Sequence, residues 1–142
     1  MTTVTVPQNY KPTEKETYMN PVMLEYFRHK LLHWKADIVR EADLTLQELQ
    51  DDGGMQEPDI TDRASAETEV ALELRTRDRQ RKLISKIDEA LERIERNEYG
   101  FCEETGEPIG IKRLDARPIA TLTVDAQERH ERKERTQRDE RE

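Results

Sequence analysis

Two long breaker-free stretches, separated by Gly53-Gly54-Met55-Gln56-Glu57-Pro58, limit what this chain can fold into. Asn20 suits a helix N-cap and Pro21 the first helical position, and no further breaker occurs before Gly53. Apolar residues at Leu24, Phe27, Leu31, Trp34 and Ile38 step by three and four, and Ala42, Leu46 and Leu49 continue the stripe. This predicts one helix of about 50 Å. Two glycines and a proline then end it. A second helix is predicted from about Ile60 to Glu98, with Val70, Leu74, Ile84, Ile87, Leu91 and Ile94 as its seam. Long helices joined by a short turn bury their stripes against each other, so the expected architecture is a mostly α antiparallel helical hairpin, or coiled coil.

Composition agrees with a narrow seam rather than a large core: hydrophobic residues make up 33% and charged residues 39% of 142 residues. One domain is the natural expectation at this length. The net charge of −8 repels a polyanion, which disfavours a DNA-coating protein and sequence-specific DNA binding. A single cysteine excludes an internal disulfide, and no apolar run approaches the roughly 20 residues of a membrane span. The first residues lack the features of a secretory signal, so cytoplasm is the expected compartment.

Residues 1–19 are polar, carry two prolines and show no period, as befits a flexible arm or an extended strap over the base of the hairpin. Beyond Tyr99-Gly100 the helical pattern stops, and residues 99–142 are expected to form a small knob followed by a C-terminal tail. The tail from about Val124 has no apolar seam and reads as a solvated helix or as disorder.

Three features could carry chemistry. Asp59 and Asp62 begin the second helix on one face, either as caps that favour the helix dipole or as a free carboxylate pair at the slim end of a rod, with Ala64 keeping that end narrow. Arg75, Arg77, Arg79, Arg81 and Lys82 form a cationic block in an acidic chain. Successive residues two apart lie about 200° around a helix, so some of these side chains must point outward. They are either solvated and braced by Glu67, Glu69, Glu73 and the first helix, or aimed at an acidic protein surface. Cys102 begins a turn that would suit half a zinc ribbon if Thr105 were cysteine, but a hydroxyl is a poor zinc ligand, and a buried thiol acting as a small hydrophobe is the simpler expectation. No phosphate loop, nucleophilic triad or metalloprotease signature occurs, so no catalytic residues are expected.

The tip and second helix PDITDRASAETEVALELRTRDRQRKLISKID, the knob YGFCEETGEPIGIKRLDARPIATLTVDAQ and the phrase EYFRHKLLHWKADI together resemble the DksA/TraR family over about residues 18–129. The resemblance implies a zinc-finger-like knob and a hairpin, with its tip at 53–64, that enters the secondary channel of bacterial RNA polymerase. It further implies action with the alarmone ppGpp to destabilise ribosomal RNA promoter open complexes and to favour some amino-acid biosynthesis promoters. Asp59, Asp62 and Ala64 would be the tip and Arg79 the rim contact. Leu83, Lys86 and Arg117 match the family's shared alarmone site, whereas Gln127 stands where the family has a lysine. Of the family's four zinc ligands only Cys102 remains; the other positions are Thr105, Thr123 and Ala126, so the resemblance is to cysteine-poor, zinc-independent members.

Two other functions fit part of the pattern. A transcript-cleavage factor also uses an acidic-tipped hairpin, but the D-x-x-D-x-A tip and the small knob point to the non-cleaving family. A structural coiled-coil adaptor would use its seam for self-association, whereas this seam is expected to be occupied within one chain, leaving a monomer.

Overall fold

The structure, a computed structural model, describes residues 4–51 and 60–140, with side chains except at 49–51, 60–62, 139 and 140. Four helices follow in order: α1 (Pro21–Asp51), α2 (Ile60–Glu95), α3 (Ile111–Ala116) and α4 (Val124–Glu140). The fold is mostly α, and among the described residues the only β pairing is an isolated antiparallel bridge between Phe101 and Pro108. The Gly53–Pro58 turn lies outside the described residues.

Local chemistry sets the helix ends. Asn20 Oδ1 accepts the Met23 N–H at 3.0 Å, which satisfies one of the free donors at the start of α1. At the end of α2, Asn97 adopts a left-handed conformation (φ 59°), and the N–H groups of Glu98 and Tyr99 fold back to the Arg93 carbonyl at 2.8 and 3.2 Å. This reversal stops α2 at Glu95, three residues short of the expected Glu98. The tail from Val124 takes the helical alternative, with the Thr123 hydroxyl accepting the Ala126 N–H at 3.2 Å as its cap.

The chain divides into two compact units, one of residues 1–31 and 90–142 and one of residues 32–89. The first holds most of the core. Met23, Phe27 and Leu31 on α1, Ala90 and Ile94 on α2, and Tyr99, Ile109, Ile111 and Leu114 are buried in it. Phe27 packs against Tyr99 with ring centroids 5.6 Å apart, and the Tyr99 hydroxyl donates to the Pro118 carbonyl at 2.8 Å. The N-terminal segment is held to the knob by Tyr18, whose hydroxyl donates to Gly100 O at 2.6 Å and accepts the Gly110 N–H at 3.1 Å. Gly100 has φ 93°, and a Cβ there would stand 2.8 Å from Met19 Cγ, so glycine answers both the backbone and the close approach of this segment.

The knob interior is a small apolar cluster. Ile109, Ile111, Leu114 and Ile119 are buried and Phe101 and Leu122 half-buried, but Val124 is exposed because it opens α4 on the solvent side of the Thr123 cap. Arg93 supplies a polar staple that compensates for the small apolar area. Its guanidinium donates to Phe101 O at 2.7 Å and Glu98 O at 3.3 Å, and it meets Glu103 at 3.2 Å.

In the second unit, Lys35 Nζ pairs with Asp88 Oδ1 at 2.7 Å, which joins α1 near the unit's first residue to α2 near its last. The eight residues between Asp51 and Ile60 span at most about 30 Å, too little for a parallel return, so the two helical segments run antiparallel. Ile38 and Ile87 are buried; no other described residue of this unit is. Farther along α2 the less exposed positions are Ala66, Val70, Glu73, Thr76, Arg77, Gln80, Leu83 and Ile84. The seam therefore passes through Glu73 rather than Leu74. Steps of three and four from Val70 permit either residue, and α2 uses the three-residue step, leaving Leu74 exposed. On α1 the same displacement buries Met23 in place of Leu24, which is half-buried, and exposes Leu46.

Candidate functional site

The residues singled out in the sequence fall on α2 and on the knob. Asp59 lies outside the described residues, and Asp62 belongs to the first turn of α2 with its side chain likewise outside them. Ala64 and Arg79 are exposed on α2. Within the cationic block, Arg75, Arg79, Arg81 and Lys82 are exposed and Arg77 is half-buried. None of the five forms an ion pair with a described residue, although pairs within 4.0 Å occur elsewhere in both units. Bracing by Glu67, Glu69 and Glu73 is thus not found: Glu73 turns toward the seam, and Glu67 and Glu69 point to solvent. The block presents net positive charge on an acidic chain.

Leu83 is half-buried and Lys86 exposed one turn later on α2, both in the hairpin unit. Arg117 is exposed at the C-terminal end of α3, in the other unit, where its backbone N–H bonds Arg113 O at 2.7 Å. The neighbouring Asp115 is held by the Lys30 ammonium at 2.6 Å and by the Tyr26 hydroxyl at 2.8 Å. The Lys30 hydrogen bond, ahead of the opposing effect of burial, lowers the Asp115 carboxyl from its ordinary range. Burial and the bond to Asp115 push Tyr26 up to about 12. This trio fastens α3 to α1 and so fixes the backbone that carries Arg117. Gln127 donates to Glu131 at 3.2 Å, while Arg129 and His130 are exposed.

Cys102 is buried but is more than a small hydrophobe. Burial alone would raise its thiol; the Thr105 hydroxyl and the backbone N–H groups of Thr123, Thr105 and Glu104 outweigh that and bring it down to about 7. The Thr123 hydroxyl also donates toward Cys102 Sγ at 3.9 Å while capping α4, so one side chain links two turns of the knob. The sequence signal for this was a threonine three residues before a buried alanine, a cap pattern that the solvated look of the tail obscured.

Residues 23–94 match the family described as DnaK suppressor protein DksA, N-terminal domain, and residues 97–132 match the prokaryotic dksA/traR C4-type zinc finger. The chain belongs to the DksA family. It is 61% identical over 131 residues to the RNA polymerase-binding transcription factor DksA of Caulobacter vibrioides (strain NA1000 / CB15N), covering 92% of each chain. It is 45% identical over 119 residues to the protein of the same description from Escherichia coli (strain K12), covering 84% of this chain and 77% of the other. The solved structure of transcription factor DksA2 from Pseudomonas aeruginosa is similar with a TM-score of 0.75 at 43% identity, covering 83% of this chain and 90% of that one. These relatives are described as transcription factors and not as enzymes.

The zinc-finger match does not carry zinc ligands with it. Cys102 is the one cysteine of the sequence. Around it Thr105 Oγ1 accepts the Glu107 N–H at 3.3 Å, Thr123 Oγ1 is engaged as the α4 cap, and Ala126 is a fully buried methyl group. One thiol, two committed hydroxyls and a methyl do not fit a four-thiolate zinc centre. Among the described residues no cluster of three or more His, Cys, Asp or Glu side chains is suited to a metal ion.

Proposed function

We propose that this DksA-family chain is a transcription regulator that binds bacterial RNA polymerase directly, placing the α1–α2 hairpin in the secondary channel. The observation that carries this reading is the 61% identity, over nearly the whole chain, to a relative described as an RNA polymerase-binding transcription factor. Arg75, Arg77, Arg79 and Arg81 of α2 support it, because cations that pair with no described carboxylate suit an acidic protein surface. Asp59, Asp62 and Ala64 act at the tip near the active centre, and Arg79 anchors the hairpin at the channel rim. The regulator performs no covalent chemistry. It works with ppGpp, bound jointly by the polymerase and by Leu83, Lys86 and Arg117, to destabilise ribosomal RNA promoter complexes and favour some amino-acid biosynthesis promoters.

The protein acts in the cytoplasm as a monomer; no described helix is long and apolar enough to cross a membrane. Its knob works without zinc, held by the Phe27–Tyr99 core, the Arg93 staple and the hydrogen bonds around Cys102. Gln127 weakens the alarmone response relative to lysine-bearing members, since one cation fewer faces a polyphosphate. Multi-round transcription from a ribosomal RNA promoter with purified polymerase tests the reading. Repression by the chain, deepened by ppGpp, is expected, and unchanged transcript levels at saturating protein would overturn it. The same preparations should contain no stoichiometric zinc by elemental analysis and keep their Tm in a strong chelator.

A further inference from the structure

The hairpin unit exposes its leucines in a pattern that its own packing does not explain. On α2, half-buried Glu73 faces the seam, while Leu72 and Leu74 on either side of it are 54% and 56% exposed. On α1, half-buried Thr45 faces the seam, and its neighbours Leu44 and Leu46 are exposed. Consecutive helical residues are separated by about 100°, so each polar residue has one leucine on each flank of the two-helix rod. This reverses the usual allocation, in which the leucine takes the seam and the charged residue the surface. Counting outward from the Lys35–Asp88 pair puts Leu44 and Leu46 level with about Arg77 to Arg79, and Leu72 and Leu74 within two turns of them.

We propose that Leu44, Leu46, Leu72 and Leu74, with Arg75, Arg79 and Arg81 beside them, form a two-flanked collar gripped by a cleft of the polymerase whose walls are apolar and acidic. The inference rests on the polymerase reading above and deepens it. Leucines on both flanks cannot be covered together by a flat surface, whereas a cleft reaches both. Arg75, Arg77, Arg79 and Arg81, which pair with no carboxylate among the described residues, supply the complementary charge. A second copy of this chain is a poor occupant, because collar against collar would set cations against cations. Nucleic acid is a poor one too, because phosphates offer nothing to the leucines and the chain carries a net charge of −8.

The test is competition for purified core polymerase by the full-length chain and the variant L44A/L46A/L72A/L74A, across a salt series. The variant is expected to raise Kd by about 30-fold or more at every salt concentration, with an unchanged salt slope, since apolar contacts add no ionic term. Replacing the same four leucines by methionine should keep Kd within about threefold. If the alanine variant loses helix by circular dichroism, the single changes Leu72→Gln and Leu74→Gln serve instead, each expected to weaken binding about fivefold. Wild-type affinity in these variants overturns the collar, as does a wild-type dimer in sedimentation that the variant abolishes. Failure of the wild-type chain itself to bind polymerase would instead overturn the reading on which the collar rests.

Discussion

The two units of this chain spend their apolar residues differently. In the unit formed by residues 1–31 and 90–142, aromatic and aliphatic side chains from α1, α2 and the knob are packed to near-zero exposure, and distant carbonyls are claimed by Tyr18, Arg93 and Tyr99. In residues 32–89, Ile38 and Ile87 alone are buried among the described residues, while six large apolar side chains are exposed. The first unit is organised to hold itself together, and the second to present side chains. A rod with so little core keeps its positions available for recognition, because few of them are committed to packing.

The largest effect expected from this contrast is on stability. Phe27→Ala should cost about 3–5 kcal/mol in denaturant unfolding, since it removes a fully buried ring in contact with Tyr99, whereas Val70→Ala on the rod should cost under about 1 kcal/mol. Equal costs would break the distinction between the units. Hydrogen exchange sharpens it: amides of residues 64–84 should exchange well before those of 23–31 and 90–94, because local opening of the rod exposes little apolar surface.

A smaller effect is expected at Tyr18, where Tyr18→Phe removes a hydroxyl bridging Gly100 and Gly110. A loss of about 1–2 kcal/mol, with the ring contact to Phe101 kept, should appear as a lower Tm. The half-buried Lys35–Asp88 pair lies below that, and a double-mutant cycle should return under about 1 kcal/mol.

Cys102 gives the finest test of the first unit. Its folded-state thiol sits at about 7 against an ordinary 9.0, so the folded chain binds fewer protons than the unfolded chain between those values. Stability from this group is therefore fully present above about pH 9 and is lost as the pH falls through 7. Wild type minus Cys102→Ser, followed by chemical unfolding, should show a difference that grows from pH 7 to pH 9. A flat difference would return Cys102 to the role of a plain hydrophobe.

Much of this contrast is legible in the sequence, because helix limits are written in short-range chemistry. Asn20 and Pro21 marked the start of α1, and the long breaker-free stretch marked α2. The seam was less legible, since steps of three and four admit both Glu73 and Leu74, and only the facing helix selects between them. The loss of zinc ligands is plain from Thr105, Thr123 and Ala126, but the Arg93 staple, the Tyr18 bridge and the Tyr99–Pro118 bond join residues with no periodic relation. The polar surroundings of Cys102 combine the Thr105 hydroxyl, which the sequence shows, with backbone N–H groups of Thr123, Thr105 and Glu104, which no list of side chains shows. Asp59 and Asp62 stand out as a same-face pair at the start of α2, open to a capping or a tip role, and the tip motif of the family favours the second; their side chains lie outside the described residues.

The most direct test of the central claim, that the rod delivers a tip to the polymerase and is not itself the source of the fold, is Asp62→Asn. Competition binding to core polymerase and transcription from a ribosomal RNA promoter should be measured on the same preparation. The account predicts affinity within about twofold of wild type, unchanged helical content and loss of repression, because on the proposed reading one tip carboxylate adds little contact area and acts at the active centre. Full repression by the variant, or a loss of affinity and helix that parallels the loss of repression, would contradict it.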